Sequence, residues 1–280
     1  MIKKQKFTRR QAMNSTADYR ITASQLNSFD WFLKDEKESA EQDLLDTINR
    51  VPKDYAKADK KEREKIEKMA KGKCFEYVIN QCLLDNNIIA KLNANTGACP
   101  RVKVDFSENN VCFNFDFDVD LVVRMHNLLV HQKVHSLQVF ISKYITLASN
   151  KLIELYGYVD YLTPLTIIDL KTTSDYNFPK YLTNWQTYVY GYILADRIGS
   201  VDFIATDFEH IYHEIYNIEH INYYEYKLKN FLQLFIEWLE KNKNKITDKK
   251  IFGLENDITR SPEAIITVDF GGADARKKVS

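Results

Sequence analysis

Glycine and proline are scarce in this chain, at 8 and 5 of 280 residues. That scarcity excludes collagen-like and linker-dominated architectures and points to long elements joined by few tight turns. Cysteine is sparser still: Cys74, Cys82, Cys99 and Cys112 form no CxxC pair. Buried thiols are the plain reading of such a set, with little support for a zinc site or an iron–sulfur cluster. No apolar run approaches the roughly 20 residues needed to span a bilayer. The basic N-terminus, MIKKQKFTRR, is not followed by the apolar segment of a secretory signal, so a cytoplasmic, non-membrane protein is expected. Charge of one sign is missing as well, because 39 Lys and Arg balance 39 Asp and Glu. Any nucleic-acid surface must therefore be a local patch.

What is present suffices for a full core: 45% hydrophobic residues, with 17 Tyr and 16 Phe. We expect a basic, flexible N-terminus over 1–20, one domain over 21–265 and a loose tail over 266–280. Thr22 or Ser24 is expected to cap a first helix, and the charge-dense stretch 35–65 reads as exposed helix broken near Pro52. Ile66–Leu84 has strong helical periodicity, residues 86–115 are mixed with a turn at Asn93–Gly97, and Tyr223–Lys241 is amphipathic. Strand composition marks SLQVFISKYITL (136–147), VDFIAT and HIYHEIYNI. Pro179 is placed in the first turn of a helix ending near Gly199.

The chemistry concentrates between Lys151 and Tyr192. Asp160 ends one apolar strand, and Asp169 and Lys171 close the next. Asp-x-Lys alone is a weak signal, since it starts at Asp35, Asp59, Asp169 and Asp248. Only the Asp169 copy follows an apolar strand; the others are expected to be surface charge. Strand geometry puts Asp169 and Lys171 on one face with Leu170 pointing away. The plainer reading is a salt bridge, yet a buried pair gains little stability. Two carboxylates at paired strand ends repel unless a cation or proton lies between them. Glu76 falls inside the apolar stripe of its helix, with Gly72 one turn earlier leaving room for an approach; alternatively Glu76 is an edge residue whose stem snorkels. Oxygen ligation by Glu76, Asp160, Asp169 and a main-chain carbonyl, that of Leu170, suits Mg²⁺ or Mn²⁺. Lys171 would orient water and offset phosphate charge. Gln186 would bond substrate or Lys171, unless it is a buried amide satisfied by main chain. Tyr190 reads mainly as packing, with its hydroxyl near the site. Lys73, Lys143, Lys151 and Lys180 flank the region as candidate DNA contacts.

Gly157–Tyr–Val–Asp160, Ile168–Asp169–Leu–Lys171–Thr172 and Gln186–Thr–Tyr–Val–Tyr190, preceded by Gly72–Glu76 and Thr22–Ala–Ser–Gln–Leu–Asn27, resemble the RecB-type, phage-exonuclease branch of the PD-(D/E)xK nuclease superfamily. The match spans roughly residues 20–200 as scattered motifs whose order is more specific than any one of them. Glu76 stands where that branch carries His or Glu. The resemblance implies an α/β fold with a central mixed sheet flanked by helices and a helical N-terminal region. It also implies Mg²⁺- or Mn²⁺-dependent hydrolysis of DNA, with exonuclease action favoured over endonuclease action or a non-cleaving DNA-binding module. Glu76, Asp160 and Asp169 would hold metal, Lys171 would assist water, and Gln186, Tyr190 and Thr172 would meet substrate. DNA is the implied partner, with a single-strand annealing protein and a homo-oligomeric ring as further associations. An iron–sulfur cluster is not expected, because no cysteine follows Cys112.

Overall fold

Apolar positions recurring every second, or every third to fourth, residue sort this chain into strands and helices. The computed structural model describes residues 17–35, 39–49, 58–94, 100–108, 111–254 and 264–270. In chain order the first elements are β1 (Tyr19–Thr22), α1 (Ala23–Lys34), α2 (Ala40–Asn49), α3 (Lys60–Leu84) and α4 (Asn86–Ala94). Then come β2 (Arg101–Glu108), β3 (Val111–Asp118), α5 (Val119–His131), β4 (Ser136–Thr146), β5 (Leu152–Leu162) and β6 (Thr166–Thr172). The chain continues through α6 (Trp185–Leu194), β7 (Ser200–Thr206), β8 (Ile211–Asn217), α7 (Ile221–Lys241), a 3-10 turn at Lys249–Phe252, and β9 (Ile265–Asp269).

Six strands form a central mixed sheet: β4, β5, β1, β6, β7 and β8. The pairs β1–β5 and β6–β7 are parallel and the others antiparallel. The fold is thus α/β, with helices on both faces. Ile153, Leu155, Val159, Ile167, Val201 and Phe203 meet Phe29, Val189, Leu228 and Phe235 of α1, α6 and α7 in one core. Tyr161, Ile168, Leu170 and Ile204 meet Phe75, Ile79, Val122 and Met125 of α3 and α5 in a second, which extends onto the small sheet β3–β2–β9. Among the described residues no helix is long and apolar enough to cross a membrane.

Several local expectations need correction. Tyr19, expected within a flexible end, is buried in β1 beside Ile21, because β5 offers both a parallel edge. The stretch 86–94, read as mixed, is helical. Residues 265–269 are no loose tail: Ile266 and Val268 pair with β2 and pack on the second core. Pro179 does not open a helix; it follows a cis peptide bond, and α6 begins at Trp185 with Asn184 as its cap. Asp248 is buried as a cap of the 3-10 turn, not surface charge, while Asp59 caps α3. Within the periodic run of α3, Met69 departs from the apolar pattern and is exposed. Thr22, one of the two cap candidates, closes a capping box with Gln25. Cys99, the break near Pro52 and the 1–16 and 271–280 ends lie outside the described residues.

Candidate active site

Strand β5 has two edges, and β4 fills one along its whole length. The other edge is divided. Strand β1 takes residues 153–156, and β6 takes only Tyr161 and Leu162. Between them Gly157–Asp160 have no strand neighbour, so the sheet opens into a fork. The next step of the β5–β6 ladder would set Asp160 opposite Asp169. Instead the Leu170 N–H donates to Asp160 Oδ2 at 2.8 Å, and the strands part at the two carboxylates.

The fork also changes the facing of its strands. In β4, Leu137 packs on the second core and Val139 on the first; in β5, Tyr161 and Val159 do the same. Residues two apart should share a face. Gln138 and Asp160 each absorb the missing step, and Gln138 does so with φ of 50°, a left-handed conformation that costs a non-glycine residue about 1–2 kcal/mol. Its amide donates to Glu76 Oε1 at 2.5 Å and to Asp160 Oδ1 at 3.2 Å, tying α3 to β5.

Asp169 is 4% exposed. Its Oδ1 accepts from Gln186 Nε2 at 2.7 Å, and Lys171 Nζ lies 2.5 Å from its Oδ2. That last contact is an ion pair without hydrogen-bond direction, and Oδ2 is otherwise unpartnered. As expected from strand geometry, Leu170 points the other way, into the second core. Gln186 does not reach Lys171. It donates also to the Tyr190 hydroxyl at 3.2 Å, which donates to the Tyr158 carbonyl at 3.2 Å. A side chain on Gly157 would press on the Tyr190 ring at 3.2 Å.

Two sequence motifs prove to be supports. Asn27 Nδ2 donates to Asn184 Oδ1 at 2.9 Å, and Asn27 Oδ1 accepts from Trp185 N at 2.8 Å. The end of the Thr22–Asn27 motif thus caps the helix that presents Gln186. Gly72 leaves room for Thr172, because a Cβ there would lie 2.5 Å from Thr172 Oγ1. Thr172 therefore packs against α3 and itself lines the cleft, together with Gly72, Lys73, Glu76, Leu170 and Lys171. Lys73 pairs with Glu108 at 3.0 Å. Lys143 donates to the Tyr192 carbonyl, Lys180 to Thr173, and Lys151 lies over Tyr19; none of these three lines that cleft.

Burial pushes the Asp160 carboxyl well above its ordinary range; Asp169 and then Glu76 push it the same way, against the Leu170 N–H and Lys171. Glu76 is raised by burial and by Asp169, opposed by Lys171 and Asn80. Tyr161, buried beneath the three carboxylates, is raised by burial and by their charge, and its hydroxyl is unpartnered. Among the described residues no three Asp, Glu, His or Cys side chains form a ready cage for a metal. The donor set nevertheless fits a hard divalent cation: all ligand atoms are oxygens, the carboxylates repel one another, and Lys171 is the one contact of Asp169 Oδ2.

No protein-family model and no curated protein matches the chain. One solved structure, "Crystal structure of SSO0001", is similar at 13% identity and a TM-score of 0.32, over 41% of this chain and 57% of that one. The match spans little more than half of that protein's length. The fork therefore has to be interpreted from its own chemistry. Sequence reasoning named Glu76, Asp160, Asp169, Lys171 and Gln186, and the structure gathers all five. It missed Gln138, which counting strand register back from the Asn150 turn would have placed opposite Asp160.

Proposed function

We propose that the fork is the active site of a divalent-metal-dependent DNA nuclease, acting on phosphodiester bonds. The observation that carries this reading is Asp169: a buried carboxylate held by Lys171 and Gln186, with Asp160 and Glu76 gathered beside it. Glu76, Asp160, Asp169 and the Leu170 carbonyl would hold Mg²⁺ or Mn²⁺. When bound, the cation would polarise the phosphodiester and offset its developing charge. Lys171, half-exposed beside Asp169, directs an ammonium into the cleft, where it orients water and neutralises a phosphoryl oxygen. Gln186 fixes the rotamer of Asp169 and so the direction of the oxygen that faces Lys171. Lys73 adds a second positive charge at the cleft wall.

Digestion of end-labelled linear and covalently closed circular DNA in Mg²⁺ tests the reading. Wild type should cut linear DNA, and Asp169→Ala and Lys171→Ala should each lose that activity while keeping a wild-type circular-dichroism spectrum and a cooperative melt. Wild-type cleavage by both variants would sink the assignment. An exonuclease spares the closed circle, whereas an endonuclease opens it. Labelled DNA bound in Mn²⁺ without products would favour a non-cleaving DNA-binding module, a role within reach of the same cleft.

A further inference from the structure

The proposed chemistry gives Gln138 no role, yet it occupies a constrained position in the fork. Its backbone is left-handed in the middle of a strand. The ladder between β4 and β5 holds on either side of it, at Leu137–Tyr161 and Val139–Val159, and skips only the step between Gln138 and Asp160. A strand absorbs that strain only when something local compensates it. The compensation visible here is the amide, whose Nε2 bridges Glu76 Oε1 at 2.5 Å and Asp160 Oδ1 at 3.2 Å. Two N–H donors thus lie between two carboxylates that otherwise repel each other, in the gap where oxygen ligands would close on a cation.

We infer that Gln138 is a positioning residue, a neutral stand-in for the metal: its amide holds Glu76 and Asp160 together while the site is metal-free and must withdraw when a divalent cation binds. The inference rests on the metal-dependent reading above. An amide suits this duty where a lysine would not. It supplies two donors to two oxygens, yet adds no charge to repel an arriving cation. The hydrogen bonds of Gln138 therefore compete with metal, and the protein exchanges affinity for a preassembled ligand pair.

Calorimetric titration of the full chain with Mn²⁺ alone, without DNA, separates this from a structural role. Gln138→Gly tolerates the left-handed backbone and removes the competitor, so it should bind Mn²⁺ about ten-fold more tightly than wild type, the equivalent of one charge-assisted hydrogen bond. Its metal-free melting temperature should not rise by as much as its Mn²⁺-bound one. Gln138→Glu is the second variant. A fourth carboxylate should lower the metal-free melting temperature and enlarge the rise on adding Mn²⁺ beyond that of wild type. Equal Mn²⁺ affinity in wild type and Gln138→Gly overturns the stand-in. Weaker affinity in Gln138→Gly also overturns it, making the Gln138 oxygen a ligand instead. Failure of wild type and both variants to bind Mn²⁺ removes the metal-dependent reading itself, and is thereby distinguishable from failure of the stand-in alone.

Discussion

Buried carboxylates occur in two parts of the same sheet and behave in opposite ways. On β8, Glu214 is 2% exposed and accepts from the Tyr176 hydroxyl at 2.8 Å, the Lys180 N–H at 3.0 Å, the Tyr181 N–H at 3.2 Å and the Tyr216 hydroxyl. Burial works against its charge, but these donors hold its carboxyl below the ordinary range. Asp202 on β7 is similarly furnished, with Ser200, Thr166 and His213 around it. In the fork, Asp160 and Glu76 share one amide, with one main-chain N–H on Asp160 and the Asn80 side chain on Glu76 besides; burial and Asp169 still raise both. Depth does not separate the acid held low from the acids pushed up. The supply of donors does. Glu214 fastens the loop from Thr173 to Asn184 and so fixes where α6 begins, while the fork leaves acceptor capacity open.

The contrast is sharpest in activity. Asp169→Asn should reduce DNA cleavage on the order of a thousand-fold, with an unchanged circular-dichroism spectrum. Comparable cleavage would place the chemistry elsewhere. Stability should respond in the other region: Glu214→Leu strands two tyrosine hydroxyls and two main-chain N–H groups and should cost about 3 kcal/mol in urea unfolding. A loss below about 1 kcal/mol would mean that its donors find water, and the distinction between the clusters collapses. Gly72→Ala, which drives a methyl into Thr172, should cost about 1–3 kcal/mol, and adding Thr172→Ala should restore most of it. If the double variant stays as weak as the single one, Thr172 is not what Gly72 makes room for.

The smallest effect concerns pH, and the two regions pull with opposite sign. An acid whose pKa is raised in the fold contributes stability that is complete below its ordinary value and lost as pH rises through the folded one. Asp160 and Glu76 therefore weaken the metal-free protein as pH climbs from the ordinary carboxylate range. Glu214, held low, contributes above its ordinary value and loses that contribution only as pH falls through the folded one. Metal-free Asp160→Asn should thus be about 1 kcal/mol more stable than wild type near neutral pH, with the gap closing toward about pH 4. Melting curves at both pH values decide it; a gap that widens on acidification contradicts the assignment of the raised acid.

The larger elements were legible because their periodicity is long. Helix α7 and the helical run ending at Leu84 show apolar stripes over many turns, and β5 and β6 show period-two alternation broken by charges. Glu76 could be found because a carboxylate inside an apolar stripe contradicts its neighbours. Short elements that depend on distant partners could not be found. Strand β1 is four residues long and owes its place to β5, and β9 is five residues long and owes its place to β2. Pro179 was misleading because its fixed φ suits a helix start as well as the loop it occupies. Gln138 carries no local signal, since a polar residue between Leu137 and Val139 is what an ordinary outward strand position shows. Its meaning lies in the facing of Asp160 across the hairpin.

The divided edge of β5 also dictates an order of assembly. Strand β1 reaches its partner across 134 residues of sequence, from Asp18 to Leu152, whereas β6 follows β5 after a tight turn. Closing so long a loop is entropically costly and slow compared with forming a hairpin. The β4–β5–β6 meander can form early, and the N-terminal strand docks afterwards on the edge that remains. Helix α1 follows β1 directly and carries Asn27 to the start of α6, so this late docking also completes the support of Gln186. A chain that has gathered its carboxylates therefore still lacks the Asn27 support of α6 until β1 has docked.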